Sequence, residues 1–372
     1  MLQRILVVFG TRPEVIKLAP VILELKKFPE IFEVLLCSTG QHMELLDLAL
    51  ADFGLVPDHY LHVMDPDQSL SSLTSKLIDG LSQVMDQRLP NLLLIQGDTT
   101  TVMAAALTAF YKRIPIGHIE AGLRSHNVHS PFPEELNRRL VSVLANYHFT
   151  PTNVASLNLA NENIDATTIF ETGNTIIDSL FYVQNYKKDD QLSGQLEAIF
   201  NQFEKVVLVT AHRRENFGDN FIAICNALKS IVKENPNVGI IFPVHLNPNI
   251  KVPVQKMLGN VPEIFLTEPL SYPNMVKLMR KCYFVLTDSG GIQEEALALS
   301  VPVLVMRDTT ERDEGVRAGG SLLIGTDSSN ILAKANELLI NKKLHKIMSE
   351  ATNPYGDGTA AEKIVSILIG EL

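Results

Sequence analysis

The stretch Leu92-Leu-Leu-Ile-Gln-Gly-Asp-Thr-Thr-Thr101 shows the pattern that repeats along the whole chain. A short apolar run ends at a glycine and a carboxylate, and a segment long enough for a helix follows. Continuous apolar runs are typical of strands buried on both faces of a parallel sheet. Because strand and helix candidates alternate almost throughout, we predict an α/β fold with parallel sheets.

The other strand candidates occur in both halves of the chain. They are Arg4–Phe9, Glu33–Ser38, Ile114–Ile119, His148–Pro151, Thr168–Glu171, Val206–Thr210, Gly239–Pro243, Glu263–Leu266, Tyr283–Thr287, Pro302–Met306 and, more weakly, Ser321–Gly325. The intervening segments Glu14–Lys27, Leu70–Arg88 and Phe217–Lys233 are long enough for crossover helices. The number of predicted strands is larger than that of an ordinary single sheet. We therefore expect two sheets of about six strands each.

Two domains are also expected from the 372-residue length, because domains typically contain about 100–200 residues. We predict a hinge near Gly173–Asn185. A second break falls at the turn-forming stretch Asn353–Gly358, before a last helix at Thr359–Gly370. The expected division is residues 1–173 with 357–372, and residues 174–356.

The composition excludes several classes of protein. Hydrophobic residues make up 46% and charged residues 20%, as in globular proteins. The formal net charge of −10 argues against broad nucleic-acid binding. Three widely spaced cysteines form neither a disulfide framework nor a zinc ribbon. With no signal-like N-terminus and no apolar run of 18 residues, we expect a cytoplasmic protein without membrane contact.

In open α/β sheets, ligands bind beyond the carboxyl ends of the strands. The first strand leads into Gly10-Thr-Arg-Pro-Glu14, where Arg12 could receive a phosphate or carboxylate. An ordinary turn with a solvated arginine is the alternative. Asp98 and Glu120 each follow a predicted buried strand, and neighbouring strands would bring them near enough to act as an acid/base pair. Alternatively, Asp98 caps a helix and Glu120 pairs with Arg124.

Further candidates follow in the chain. We predict that a helix begins at about Glu134, where an acidic side chain interacts favourably with the helix dipole. This structural role would explain Glu134 and Glu135 equally well. His212, after Val206–Thr210, begins a His-Arg-Arg run that suits an anionic substrate, or else forms a solvated basic loop. The strongest local pattern is Ser289-Gly290-Gly291 between a strand and a helix, which is a phosphate-binding design, with Glu295 one turn further able to accept from ribose hydroxyls.

Several catalytic motifs are absent from the sequence. There is no G-x-G-x-x-G after the first strand and no G-x-x-x-x-G-K-[ST], which argues against a nicotinamide or P-loop enzyme. H-E-x-x-H and C-x-x-C are missing, so no metal site is signalled, and no G-x-S-x-G nucleophile elbow occurs.

Taken together, the motifs resemble those of the non-hydrolysing UDP-N-acetylglucosamine 2-epimerases over nearly the whole chain. They are Gly10-Thr-Arg-Pro-Glu-Val-Ile-Lys17, Gly97-Asp-Thr-Thr-Thr101, His118-Ile-Glu-Ala-Gly-Leu-Arg124, Ser130-Pro-Phe-Pro-Glu-Glu135, His212-Arg-Arg-Glu215, His245-Leu-Asn-Pro248, Asp288-Ser-Gly-Gly-Ile-Gln-Glu-Glu295, Arg307-Asp-Thr-Thr-Glu-Arg312 and Asn353-Pro-Tyr-Gly356. The resemblance implies two Rossmann-like domains of the glycosyltransferase-B type, with the active site in the interdomain cleft, UDP binding by the C-terminal domain and a homodimer.

The implied reaction interconverts UDP-GlcNAc and UDP-ManNAc without a cofactor, by eliminating UDP to give a 2-acetamidoglucal and adding it back. By resemblance, Asp98, Glu120 and Glu134 form the acid/base set, and His212 is catalytic or contacts phosphate. The resemblance also places Arg12 and Lys17 at the substrate, Ser289, Gly290 and Gly291 at the diphosphate, Glu295 at the ribose and Arg312 near the sugar.

Some positions depart from the family pattern. Many bacterial members are activated by a second UDP-GlcNAc, and Gln41 and His42 match that region, but Met43-Glu44 and Asp67 do not. Leu270 and the pair Gly319-Gly320 also differ from the commoner residues. A 2-epimerase of a modified UDP-sugar therefore stays open, as does a hydrolysing epimerase that releases ManNAc and UDP.

Overall fold

The computed structural model describes residues 2–40, 43–65, 68–186, 192, 194–213 and 216–372. The chain forms two compact units, which we describe separately. Unit 1 comprises Met1–Tyr182 with Tyr355–Leu372, and unit 2 comprises Val183–Pro354.

Unit 1 contains a seven-stranded parallel sheet. Its strands are β1 (Gln3–Phe9), β2 (Phe32–Ser38), β3 (His59–Tyr60), β4 (Leu92–Gln96), β5 (Ile116–Ile119), β6 (Tyr147–Thr150) and β7 (Ile169–Glu171), in the order β3-β2-β1-β4-β5-β6-β7. Its helices in the first part of the chain are α1 (Arg12–Leu25), α2 (Met43–Phe53), α3 (Leu70–Arg88), α4 (Thr100–Tyr111), α5 (Glu134–Leu144), α6 (Asn153–Asn161) and the start of α7 (Thr175–Tyr186).

Unit 2 contains a six-stranded parallel sheet. Its strands are β8 (Lys205–Thr210), β9 (Val238–Pro243), β10 (Ile264–Thr267), β11 (Phe284–Thr287), β12 (Val303–Val305) and β13 (Ser321–Leu323), in the order β10-β9-β8-β11-β12-β13. Its helices are α8 (Gly194–Gln202), α9 (Asp219–Glu234), α10 (Pro248–Leu258), α11 (Tyr272–Lys281), α12 (Gly290–Ala298), α13 (Asp313–Arg317), α14 (Ser328–Ile340) and α15 (Lys342–Ser349). The last helix, α16 (Ala360–Glu371), belongs to unit 1.

The predicted α/β fold with two parallel sheets is confirmed. In both sheets the strand order reverses next to the first strand, between β1 and β4 in unit 1 and between β8 and β11 in unit 2. This is the doubly wound Rossmann arrangement, and such a reversal leaves a crevice at the carboxyl ends of the two strands. The residues that follow these four strands are therefore the first place to look for a ligand site.

Helix α7 occupies most of the segment Gly173–Asn185, where we expected a hinge, because Ile176, Ile177 and Leu180 form an apolar stripe at helical spacing that is buried in unit 1. The division between the units falls after Tyr182, inside this segment. Strand β3 was not predicted, because a two-residue His-Tyr pair carries no apolar run.

Other features agree with the composition. The three cysteines are all buried and unbridged, as expected for small apolar side chains. Within the part of the chain that the structure describes, no helix is both long and apolar enough to cross a membrane.

Candidate active site

Glu14 joins the two loops that meet at the strand reversal of unit 1. Its Oε2 accepts hydrogen bonds from the backbone N–H groups of Gly10 and Thr11, each at 2.7 Å, and its Oε1 accepts from Thr99 Oγ1 at 2.5 Å. The side chain is buried, and burial raises the pKa of the carboxyl although these donors oppose the shift. Glu14 was not among the site residues predicted from the sequence, although its spacing from Thr11 is that of a capping box and could have revealed it.

Glu120 lies in a buried polar cluster immediately after β5. Its backbone is left-handed, with φ of 63°, which is rare for a residue with a side chain. Lys17 Nζ donates to Glu120 Oε1 at 2.5 Å, Asn174 Nδ2 lies 3.4 Å from the same oxygen, and Gln96 Nε2 donates to Oε2. Lys17 is therefore fixed at the carboxyl edge of the sheet, beside a carboxylate 103 residues away in sequence.

The alternative pairing of Glu120 with Arg124 is wrong. Arg124 instead forms a bidentate ion pair with Glu162, with N–O distances of 2.8 and 2.7 Å. Its side chain is fully buried and also donates to Ser142 Oγ. Arg124 therefore ties α6 to α5 and is not a partner of Glu120.

Asp98 follows the adjacent strand β4 and belongs to a second ionic cluster. Arg138 of α5 approaches Asp98 Oδ2 through Nη2 at 2.7 Å and Nε at 2.9 Å, and Asn137 Nδ2 donates to the Asp98 carbonyl at 2.8 Å. The alternative role of Asp98 as a helix cap is wrong, because Thr99 is the N-cap residue of α4. Asp98 is thus held by α5, with 27% of its side chain exposed.

The two glutamates at the start of α5 have different environments. Glu135 is fully buried; its Oε2 accepts from Arg138 Nη1 at 3.0 Å and from the Ser125 N–H at 2.9 Å, so it supports the Asp98 cluster. Glu134 is half-buried at the first position of the helix, as predicted, next to the dipole's positive end. Arg12 is also half-buried and occupies the first position of α1.

In unit 2, Asp288 organises the loop that carries His212. This fully buried carboxylate accepts from the backbone N–H groups of His212 and Arg213 and from Asn216 Nδ2, each at 2.9 Å. His212 Nδ1 lies 3.4 Å from Asp288 Oδ1, and the ring stacks on His245 with centroids 5.8 Å apart. This role of Asp288 was not predicted from the sequence, although the residue directly follows β11, a strand at the reversal.

The Ser289-Gly290-Gly291 segment forms the N-terminus of α12, as predicted. Ser289 is the N-cap residue, and its N–H donates to Thr287 Oγ1 at 2.9 Å. A Cβ added to Gly291 would meet no heavy atom within 4 Å, so this turn presents open backbone. A Cβ at Gly290 would lie 2.8 Å from Arg312 Cζ, which places the Arg312 guanidinium against the same turn.

Glu311 holds three arginines beside this turn. Its carboxylate accepts from Arg312 Nη1 at 2.6 Å, Arg307 Nη1 at 2.8 Å and Arg213 Nη2 at 3.2 Å. Arg312 Nε also donates to Glu294 at 3.0 Å. Glu295 is buried in the same helix. Glu311 and Glu294 thus fix these guanidinium groups beside the N-terminus of α12, where the helix dipole favours an anion.

The structure therefore gathers the expected residues into two sets. Unit 1 holds Lys17 with Glu120, and Asp98 with Arg138; unit 2 holds His212 at Asp288, and Arg312 at the Ser-Gly-Gly turn. Gln41 and His42, expected at a second ligand site, lie outside the described residues. Among the residues that the structure describes, no group of three or more His, Cys, Asp and Glu side chains could hold a metal ion.

Comparison with known proteins assigns the chain to a family. A sequence model of that family, described as UDP-N-acetylglucosamine 2-epimerase, matches residues 24–369. The chain belongs to the UDP-N-acetylglucosamine 2-epimerase family. It is 48% identical to the UDP-N-acetylglucosamine 2-epimerase of Salmonella typhimurium over 98% of both proteins. With that of Campylobacter jejuni it shares 47% identity over 99% of this chain and 98% of the relative.

Solved structures of this family have the same fold. The UDP-GlcNAc 2-epimerase from Neisseria meningitidis, bound to UDP-GlcNAc, superimposes with a TM-score of 0.95 at 44% identity, covering 99% of this chain and 100% of the other. The enzyme from Methanocaldococcus jannaschii, in complex with UDP-GlcNAc and UDP, gives 0.86 at 33% identity and the same coverage. The family resemblance predicted from the motifs is thus confirmed.

Proposed function

We propose that this protein interconverts UDP-N-acetylglucosamine and UDP-N-acetylmannosamine by reversible epimerisation at C2. The observation that carries the proposal is the placement of Asp98 and Glu120 after adjacent strands, in a chain of this family. Gln96 pairs with Ile119 across β4 and β5, so both carboxylates leave the same edge of one sheet. An epimerisation needs proton removal from one face of a carbon and delivery to the other, which two carboxylates can perform.

The proposed chemistry is an anti-elimination followed by re-addition. A carboxylate removes the C2 proton while the C1–O bond breaks and UDP leaves with the bonding electrons, giving a 2-acetamidoglucal. UDP then adds back at C1, and C2 is reprotonated on the opposite face. Because the C2 proton of the substrate is not acidic, its removal must be concerted with departure of UDP. Stabilising the leaving diphosphate is therefore as important as the base.

Unit 1 supplies the proposed proton-transfer residues. Asp98, Glu120 and Glu134 form the acid/base set, and Lys17 and Arg12 contact the substrate. The ion pair with Lys17 supports a role for Glu120, since the ammonium holds this carboxylate at the carboxyl edge of the sheet. Two guanidinium nitrogens of Arg138 contact Asp98 Oδ2 and fix this carboxylate in a similar way.

Unit 2 supplies the proposed nucleotide-binding residues. Ser289, Gly290 and Gly291 bind the diphosphate through the open turn at the start of α12, where the helix dipole favours an anion. Arg312 contacts the sugar side, Glu295 accepts from the ribose and His212 is catalytic or contacts phosphate. We also propose the domain roles of the glycosyltransferase-B type. In this division the C-terminal domain binds UDP, and the N-terminal domain includes the crossing C-terminal helix.

We further propose a homodimer formed through unit 1. Helices α4 and α5 pack against each other, and their exposed faces carry large apolar side chains: Phe110, Tyr111, Leu136, Leu140 and Val143. Large exposed apolar side chains concentrated on two packed helices indicate an interaction surface. A cytoplasmic location and activation by a second UDP-GlcNAc near Gln41 and His42 stay predictions.

A product analysis tests the proposed function. The purified protein is incubated with UDP-GlcNAc without added cofactor, and the products are identified by NMR. UDP-ManNAc in equilibrium with the substrate, with no free sugar, supports the non-hydrolysing epimerase. Free ManNAc with UDP indicates the hydrolysing alternative. If UDP-GlcNAc stays unchanged, the proposal fails for this sugar, and modified UDP-N-acetyl sugars are the next substrates.

A further inference from the structure

His118 is a buried histidine on β5, two residues before Glu120. Its Nε2 lies 2.8 Å from the carbonyl oxygen of Gly97. A carbonyl can only accept a hydrogen bond, so Nε2 carries the proton and the neutral ring has a lone pair at Nδ1. Among the residues that the structure describes, Nδ1 has no hydrogen-bond partner. Burial is the largest influence on this ring and lowers its pKa to about 4.

The acceptor of this hydrogen bond is the turn that carries Asp98. Gly97 is left-handed, with φ of 84°, and its N–H donates to the Ile119 carbonyl at 3.1 Å. Both polar backbone atoms of Gly97 are thus bonded to β5, one of them through the His118 ring. Because the backbone at Gly97 sets the direction in which Asp98 leaves the sheet, His118 ties the position of Asp98 to the strand that ends at Glu120.

The unpartnered Nδ1 makes packing alone a poor explanation for this histidine. A buried acceptor without a partner destabilises the folded protein, and an apolar side chain at this position would avoid that loss. What a histidine adds over an apolar residue here is the donor to Gly97. The hydrogen bond to the Asp98 turn is therefore the feature that needs explaining.

The neighbouring strand provides an internal comparison. His148 on β6 is the direct register partner of His118, and each is 1% exposed. Its ring contacts the carbonyls of Ser142 at 2.9 Å and Thr168 at 3.3 Å, not the turn after β4. Both histidines are thus buried, and both lie within hydrogen-bond distance of backbone carbonyls. Only His118 contacts the turn that carries Asp98.

We propose that His118 is a positioning residue for the epimerisation, which aligns the Asp98 carboxylate with Glu120 through its hydrogen bond to Gly97. The inference rests on the proposed function. It predicts that loss of the donor reduces kcat while UDP-GlcNAc still binds, because binding residues in unit 2 are unaffected.

The test compares matched variants of the two histidines. H118L removes the donor and is expected to lower kcat about 100-fold, the effect of misplacing a reacting group by about 1 Å, with little change in KM or in UDP affinity. H148L serves as the control for losing a buried histidine, and it is expected to lower the Tm while kcat stays near that of the wild type. Equal losses of kcat in H118L and H148L would overturn the proposal.

Rescue by an amide gives a second test that does not depend on the leucine variant folding. The amide nitrogen of glutamine can approach the position of Nε2, whereas that of asparagine falls near Nδ1. We therefore expect a higher kcat for H118Q than for H118N, and equal values would overturn the proposal. If the wild type itself shows no epimerisation, the proposed function fails and this inference with it; normal wild-type turnover with no preference between the variants removes the inference alone.

Discussion

Lys17 Nζ donates a hydrogen bond to Glu120 Oε1 at 2.5 Å, and the two side chains are only 8% and 5% exposed. A carboxylate removed from water is destabilised unless a cation or several donors compensate it. Lys17, from the first helix, provides the cation, and Gln96 and Asn174 provide further donors. The cation and these donors thus compensate the burial of Glu120 and hold its carboxyl group at the proposed active site.

Breaking this pair should destabilise the protein strongly. K17M keeps most of the side-chain volume but leaves Glu120 buried without its cation, and we expect the free energy of unfolding to fall by about 3–5 kcal/mol. The control is K112M, which removes an ion pair with Asp86 whose side chain is 67% exposed and is worth about 0–1 kcal/mol. Urea denaturation measures both. A loss no greater in K17M than in K112M would show that Lys17 does not compensate Glu120.

Much of the fold could be predicted from the sequence, but few of the contacts between the charged residues of this site could. Strand β4 was predicted at its observed bounds because Leu92–Gln96 is one buried run. The partners of the charged residues could not be predicted the same way. Arg124 pairs with Glu162, 38 residues away, and not with nearby Glu120. The left-handed backbone at Glu120 directs its side chain to partners other than Arg124. No local sequence pattern predicts this backbone conformation.

The two glycines at the start of α12 allow a test that separates binding from folding. G291A adds a methyl group where no atom lies within 4 Å, so we expect no loss of thermal stability. If the diphosphate binds this turn, the methyl group blocks its approach, and UDP affinity should fall by about tenfold or more, equivalent to 1.4 kcal/mol. The control G370A also adds a methyl group in open space on a helix. Calorimetry that finds equal UDP affinity for both variants would place the diphosphate elsewhere.

Asp178 should give unit 1 a distinct pH dependence. Its Oδ1 accepts from the Ala361 N–H at the start of α16, and burial raises its pKa to about 6. Because the folded protein holds this proton more tightly than the unfolded chain, whose carboxyl has a pKa of 3.8, the contribution to stability is greatest at low pH. It is lost as the pH rises towards 6 and above.

The size of this effect is about 3 kcal/mol, from about 1.4 kcal/mol for each pKa unit. The comparison is with D178N, which cannot titrate. Relative to D178N, the wild type should lose stability between pH 4 and pH 7 in urea denaturation. A difference between the two proteins that is constant over this range would mean that the Asp178 pKa is not raised.

The proposed dimer predicts a sensitive position on α5. Leu140 is 43% exposed on the apolar face of this helix, and L140E would place a charge within the interface. We expect light scattering to give a dimer mass for the wild type and a monomer mass for L140E. I340E, at a position 76% exposed in unit 2, serves as the control and should stay dimeric. A monomeric wild type, or a dimeric L140E, contradicts the proposed interface.

The most direct test of the account is the fate of the C2 proton in D₂O. Wild-type protein is incubated with UDP-GlcNAc in D₂O and followed by proton NMR, beside D98N and the control D86N, which changes an exposed aspartate that is also paired with a cation. We predict that deuterium enters C2 as UDP-ManNAc forms with the wild type and D86N. D98N should give neither signal while still binding UDP. Epimerisation that retains the C2 proton, or full turnover by D98N, would contradict the proton-transfer mechanism.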